Sequence, residues 1–335
     1  MIYHRDTEFV QTFYCVTEDL KYFFQTSHEV LILTTSGTGG MEATITNIFS
    51  PGEPVLIVEN GKFSERWTQM AEKFGLDVKR MTIQWGESIS IEKITDFIKS
   101  NPYLKAVFLT HCETSTGAFT DLETIVPAIR ELSTALIIID AISSAGVLPL
   151  KMDQWGIDVT ITGSQKGLGL PPGLAIIALN NRVWRHVEQA ELPRYYFDFT
   201  RARQSLRLGR GSAFTPAIPL ILAANVVLND IHQQGIEKIW LERKSIATHF
   251  REKIIGLGFS IFPEIPADSL TVIKIDAPPD ADHIISSLKE KYRIIVSRGQ
   301  GQLSNKVIRV GHFVNVELKQ LNQFLDALNE IKIGG

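Results

Sequence analysis

Between Glu29 and Leu179 short β-rich runs alternate with longer amphipathic ones, and this alternation restricts the fold more than any other feature of the chain. The strand-like runs are Val30–Thr34, Pro54–Glu59, Asp77–Thr82, Ala106–Thr110, Leu136–Asp140, Val159–Thr162 and Leu174–Leu179. Helical spacing of apolar residues fills most of the gaps, at Met41–Phe49, Ser64–Phe74, Ile91–Lys99 and Leu122–Leu132. A strand that must pair in parallel needs a crossover, and a helix is the usual crossover. The pattern therefore predicts an α/β fold with a mainly parallel seven-stranded sheet between helices. Such sheets bind ligands beyond the carboxyl ends of their strands.

The flanking regions read differently. Residues 1–28 place Phe9, Phe13, Leu20 and Phe23 at helical spacing, which predicts a helical arm that packs on a neighbour. Residues 181–215 read as irregular, and a single long helix is expected from about Pro219 to Phe250. Beyond Gly256 the pattern predicts a strand (Leu270–Ile275), a helix (Asp280–Lys291), two strands (Arg293–Ser297 and Lys306–Gly311) and a helix (Val316–Ile331). At 335 residues two lobes are expected. We place a large domain at 1–240 and a small α/β domain at 241–335.

Composition excludes several classes. A net charge of -3 offers no basic field to nucleic acid or to an anionic membrane. No apolar run is long enough to span a bilayer. Two cysteines, Cys15 and Cys112, make neither a disulfide framework nor a cysteine metal site. A cytoplasmic protein is the expectation, with no metal.

Four chemistry-bearing stretches fall at carboxyl ends of predicted strands. Ser36-Gly-Thr-Gly-Gly-Met-Glu-Ala43 is a glycine-rich turn opening a helix, where free amides and the helix dipole suit a phosphate. It lacks the Gly-Lys-Ser/Thr of a P-loop and the spacing of the dinucleotide fingerprint. Asp140 closes a buried run, which is costly unless it meets a cation or donors. His111-Cys-Glu-Thr-Ser-Thr-Gly117 brings hydroxyls and a carboxylate to the same edge. Lys166 sits in a turn of small residues, glycines and prolines, where burial lowers an amine's pKa and rigidity fixes it. Alone, each has a plainer reading: a glycine turn, an N-cap, a loop, a turn that carries a lysine. Together they are the protein half of a pyridoxal-phosphate site, in which a lysine joins the cofactor and an acid partners its ring nitrogen.

The chain resembles a class V aminotransferase of pyridoxal-phosphate fold type I, in the alanine–glyoxylate/serine–pyruvate group. The resemblance rests on Ser36–Ala43, Asn60-Gly-Lys-Phe63, Leu109–Gly117, Asp140-Ala-Ile-Ser-Ser144, Gly156-Ile-Asp158, Gly163-Ser-Gln-Lys166 with Pro171-Pro-Gly173, Phe214-Thr-Pro216 and Lys306–Gly311, in family order. It implies roles by position. Lys166 would be the Schiff-base lysine and proton carrier, and Asp140 the partner of the pyridine nitrogen. Thr114 would meet the phenolic oxygen, with Ser115 as the neighbouring candidate. Thr38, Gly39, Gly40 and Gln165 would hold the phosphate, and Phe63 would stack on the ring. Thr215 would reach the phosphate of the other subunit in a homodimer. Arg309 would take the substrate α-carboxylate in a bidentate fork. His111 and Glu113 are expected to orient their loop, and most charges of Arg201–Arg210 to face solvent.

Two features depart from the family: the segment that members carry ahead of His4-Arg5, and the tyrosine they carry where Ser212 stands here. The implied activity moves an amino group from a small amino acid, of alanine or serine type, to a 2-oxo acid such as glyoxylate or pyruvate. Alternatives within the resemblance are an aminoethylphosphonate-type transaminase, a lyase, or a cofactor-binding protein without turnover. A cysteine desulfurase fits poorly, because no cysteine follows Cys112 and Gln165, not a histidine, precedes Lys166.

Overall fold

The computed structural model describes residues 2–334. The chain opens with α1 (Thr7–Phe24), β1 (Glu29–Thr34), α2 (Gly37–Ile48), β2 (Pro54–Glu59), α3 (Lys62–Lys73), β3 (Asp77–Thr82) and α4 (Ile91–Ser100). It continues with β4 (Ala106–Thr110), a hairpin of β5 (Cys112–Glu113) and β6 (Ala118–Phe119), α5 (Leu122–Leu132), β7 (Leu136–Asp140), α6 (Met152–Trp155), β8 (Val159–Gly163) and β9 (Leu174–Leu179). Then come α7 (Val183–Gln189), α8 (Phe199–Arg207), α9 (Ile218–Gln234) and α10 (Ile236–Gly256). The last part holds β10 (Ser260–Ile261), β11 (Leu270–Lys274), α11 (Ala281–Tyr292), β12 (Ser297–Arg298), β13 (Val307–Gly311) and α12 (Leu318–Gly334).

The large sheet has the order β1-β9-β8-β7-β4-β2-β3. Its pairs are parallel except where β9 runs between β1 and β8. Because β9 alone is reversed, the carboxyl ends of the other six strands share one edge. Along β7, Leu136 and Ile138 enter one apolar core while Ile137 and Ile139 enter the other. That period of two, with apolar residues on both faces, is what a sheet covered by helices on each side requires. The mainly parallel seven-stranded sheet is as expected. A second, four-stranded sheet, β10-β11-β13-β12, carries a separate apolar core with α11 and α12.

Several elements differ from the expectation. The arm is one helix, capped by the Asp6 carboxylate, which accepts the Glu8 amide, and it buries Phe9, Phe13, Leu20 and Phe23 in the large core. Residues 181–215 are not all irregular, since they include α7 and α8. Helix α8 is mostly polar, yet Phe199, Ala202 and Leu206 turn one face to the large core, and Arg203 and Arg207 both reach Glu29 of β1. Arg203 also lies over the Trp184 ring at 3.9 Å, so part of that basic run is packed and not solvated. The strand expected at Arg293–Ser297 is confined to Ser297–Arg298, because only those residues pair with β13.

The long helix is broken. Gly235 separates α9 from α10 with φ +84°, a conformation that costs any residue with a Cβ. Helix α10 places Ile236, Ile239 and Trp240 in the large core and Phe250 and Ile254 in the small one. It therefore joins the two bodies. No helix among the described residues is long and apolar enough to cross a membrane.

A Cβ at Gly235 meets no atom within 4 Å, so Gly235→Ala isolates the backbone cost. We expect a loss of about 1–3 kcal/mol in urea unfolding. An unchanged midpoint would show that the break imposes no strain.

Candidate active site

At the carboxyl edge of the large sheet lies a cavity of about 160 Å³. Register builds it. Thr110, Asp140 and Ile161 stand side by side across β4, β7 and β8, so the segments that follow these strands converge. The first turn of α2 and the start of α3 close the other sides.

Asp140 is 4% exposed, and its Oδ1 accepts the Ile142 amide at 2.9 Å. Burial, with the Glu113 carboxylate acting in the same direction, pushes its pKa up to about 6. The Ile142 amide, the Trp67 indole and the Arg66 guanidinium act against that rise. Across the cavity stands Lys166, its amine 4.9 Å from the centre of the Phe313 ring. Burial lowers the pKa of this amine, and Arg309 works in the same sense, while Cys112 and Asp140 oppose them. A half-buried amine whose pKa is lowered in this way is displaced toward its neutral, nucleophilic form.

The loop after β4 is fixed by Glu113. Its fully buried carboxylate accepts the amides of Phe63, Ser64 and Ser115 and the hydroxyls of Ser64 and Ser115. These bonds tie the β5–β6 turn to the start of α3. Gly61 is needed there, since a Cβ would lie 2.4 Å from the Glu113 side chain. Ser115 is thereby turned from the cavity, and its hydroxyl also accepts the Lys62 amide. Thr114 faces the cavity and shares a hydrogen bond with the Ser143 hydroxyl. His111 is buried against Phe119 and Trp155, and burial lowers its pKa to about 3.

Ser36 caps α2, accepting the Gly39 amide on its hydroxyl at 3.4 Å. The Gly40 amide donates to the Ser36 carbonyl at 3.1 Å. Among the described residues the amides of Gly37 and Thr38 have no hydrogen-bond acceptor. The free donors of this turn thus lie one to two residues earlier than Gly39 and Gly40. Thr38, Phe63 and Gln165 line the cavity, and Gln165 Oε1 is buried without a partner.

Arg309 comes from β13 of the small sheet. Its Nη1 donates to the Thr114 carbonyl at 3.0 Å and its Nε to the Arg298 carbonyl at 2.7 Å. Thr215 is exposed ahead of α9, in a depression with Phe214 and Tyr196, and does not line this cavity. Cavity residues without a role in the sequence reading include Arg66 and Ser143, and Phe313 lies beside the cavity at the Lys166 amine. Arg66 lies three residues after Phe63 on α3, so helical spacing alone placed it on the same face. Ser143 belongs to the Asp140–Ser144 stretch but gave no sign of facing Thr114. Phe313 is brought by the small domain, and nothing local marks it.

The family model for class-V aminotransferases matches residues 1–324. This chain is a class-V aminotransferase. The 42 kDa subunit of a soluble hydrogenase from Anabaena cylindrica is 37% identical over 313 residues, covering 92% of this chain and 81% of that protein. The L-aspartate–glyoxylate aminotransferase of Paracoccus denitrificans (strain Pd 1222) is 34% identical over 316 residues, covering 92% and 80%. A solved structure of an alanine–glyoxylate aminotransferase from Nostoc sp. superposes with a TM-score of 0.94 at 29% identity, over 99% of this chain and 89% of that one.

The cofactor of a class-V aminotransferase is pyridoxal phosphate, and the cavity fits it. Unpaired amides at the α2 N-terminus suit a phosphate. A buried acid with a raised pKa suits a protonated ring nitrogen, which would return it to the ionised form. The amine with a lowered pKa suits an aldehyde.

Asp140 also makes the cofactor-free aminotransferase sensitive to pH. An acid whose pKa is higher folded than unfolded binds more protons when folded, so its contribution to stability falls as pH rises from about 4 to about 6. Asp140→Asn should therefore stabilise the cofactor-free protein at pH 7, by up to roughly 3 kcal/mol, and have little effect at pH 4. Comparing thermal midpoints of variant and wild type at each pH cancels the opposite effect of the buried His111 and His312. A difference that does not change with pH would contradict the raised pKa.

Proposed function

We propose that this aminotransferase moves an amino group from a small amino acid of alanine or serine type to a 2-oxo acid such as glyoxylate or pyruvate. One observation carries the reading. Arg309, a cation of the small domain, meets the Thr114 loop beside the cavity that holds Lys166 and Asp140. A carboxylate bound there would hold its α-carbon near the lysine amine. Amino acid and oxo acid share that carboxylate, so one guanidinium can serve both half-reactions. The names of the Paracoccus and Nostoc proteins, both glyoxylate aminotransferases, support glyoxylate as an acceptor.

When bound, pyridoxal phosphate supplies an aldehyde for the amine and a ring that drains electrons from the Cα–H bond. The protein does the rest. The free amides of Gly37 and Thr38, the Thr38 hydroxyl and Gln165 would hold the phosphate end, while Gly39 and Gly40, whose amides are taken by Ser36, shape the turn. Asp140 would keep the ring nitrogen protonated, Phe63 would cover the ring, and the Thr114 hydroxyl would meet the phenolic oxygen. Lys166 Nζ, favoured in its neutral form by burial, takes the proton from the substrate Cα. Closure of the small domain would bring Arg309 into register and exclude water.

We also propose a homodimer in the cytoplasm. Thr215 lies away from its own cavity, and Tyr195 and Tyr196 beside it are exposed aromatics, 68% and 45%, packed around Phe214. A partner that covers this surface would give Thr215 the phosphate of the other cavity. Free cysteines, with Cys15 exposed, suit a reducing compartment.

An amino-donor screen tests the activity, following cofactor absorbance from its lysine-bound to its amine form. Alanine or serine should drive that change and glyoxylate reverse it; no change with any donor would overturn the reading. Lys166→Ala should keep the fold and lower turnover at least about 100-fold. Arg309→Lys should raise KM for amino acid and oxo acid alike, by about 10- to 100-fold. A rise for only one of them would remove Arg309 from the shared carboxylate site. Sedimentation should give twice the chain mass, and a fully active monomer would refute the shared site.

A further inference from the structure

We propose that Arg66 is a positioning residue for the phosphate end of the cofactor, acting through Thr38; the inference rests on reading the cavity as a pyridoxal-phosphate site. The cavity is lined by two cations, Lys166 and Arg66. The first has a role in the amine chemistry. The second has none in the sequence reading or in the family resemblance as stated, yet it is held in place on two sides. Its Nη1 donates to Thr38 Oγ1 at 3.0 Å. Its guanidinium carbon lies 4.8 Å from the centre of the Phe63 ring. No carboxylate lies within salt-bridge distance of it among the described residues, although its neighbours on α3, Lys62 and Glu65, pair with each other.

The bond to Thr38 has a directional consequence. A hydroxyl carries one donor and two acceptor sites, and its proton turns to suit its surroundings. A guanidinium has donors only. When Arg66 occupies an acceptor site of Thr38 Oγ1, the threonine proton must point elsewhere, and the cavity beside the free Gly37 and Thr38 amides is open to it. Arg66 thus makes Thr38 a donor to an anion and adds unneutralised positive charge behind it. The same side chain braces Phe63 by cation–π contact. One residue therefore couples the wall that covers the ring to the turn that holds the phosphate. Lysine could supply the charge but cannot donate sideways and lie flat on a ring at once.

The test compares two probes on the full chain stripped of cofactor: pyridoxal phosphate, and pyridoxal, which lacks only the phosphate. Dissociation constants come from tryptophan fluorescence, since Trp67 lies one residue from Arg66. Wild type should favour pyridoxal phosphate. Arg66→Met should lower the ratio of the two affinities by about 10- to 100-fold, mainly by weakening pyridoxal phosphate, with pyridoxal changed less than about threefold. Thr38→Val should lower the ratio too, and the double variant should lose less than the sum of the single effects. A merely structural role would weaken both probes alike, and that result, or an unchanged ratio, overturns the inference while leaving the cofactor site standing. Where Arg66→Met does not fold, Arg66→Lys decides: a wild-type ratio overturns the proposal. A wild-type chain with no preference between the probes would overturn the site reading and this inference together.

Discussion

The Glu113 carboxylate holds the site together. It is buried and makes no ion pair among the described residues, and it is satisfied by amides and hydroxyls from its own turn and from the start of α3. Hydrogen bonds to an ionised acceptor are the strong ones, and a buried carboxylate deprived of them is strongly destabilising. The α3 N-terminus adds its positive dipole end to the same acid. Because one anion joins these two segments, the positions of Thr114, Phe63 and Arg66 are a single geometric unit. The hairpin turn cannot shift without disturbing the helix that covers the cavity.

The rest of the site follows from where the strands end. Reversal of β9 leaves β1, β8, β7 and β4 pointing the same way, so the α2 turn, the Lys166 turn, Asp140 and the Thr114 turn gather at one edge. Parallel strands buried on both faces supply a rigid base for these loops. The turns at that edge, with the starts of α2 and α3, thus line the cavity. The small sheet contributes Arg309 and Phe313, through a helix whose two ends belong to different cores.

Much of this was legible in the sequence. The strand runs of the large sheet were found within a residue or so, because burial on both faces writes continuous apolar stretches and the acid at Asp140 interrupts one of them. Lys166, Asp140, Thr114 and Thr38 were found because each lies at a strand end in a recognisable turn. Three other readings needed the third dimension. Helix α8 shows only a narrow apolar face, Phe199, Ala202 and Leu206, within an arginine-rich run, and its pairing with Glu29, which is 174 residues from Arg203, has no local mark. The break at Gly235 looked like one glycine in a long helical pattern, and only the divergence of two cores makes it a boundary. Arg66 read as one more charge on an amphipathic helix, since its partners Thr38 and the Phe63 ring are set by the packing of α3 against α2.

The sequence by itself determined the class of fold and the chemistry that a lysine, an acid and hydroxyl-bearing turns bring to the strand ends. Periodicity and turn composition are local properties, and a side chain's chemistry travels with it wherever it is placed. The tertiary structure decided which donors remain free, which of two adjacent hydroxyls, Thr114 or Ser115, faces the cavity, and which cation meets Thr38. Those outcomes depend on hydrogen bonds between residues tens or hundreds of positions apart, such as Phe63 to Glu113 and Arg309 to Thr114. No local pattern encodes such bonds, because each exists only once strand order and register have brought its two ends together.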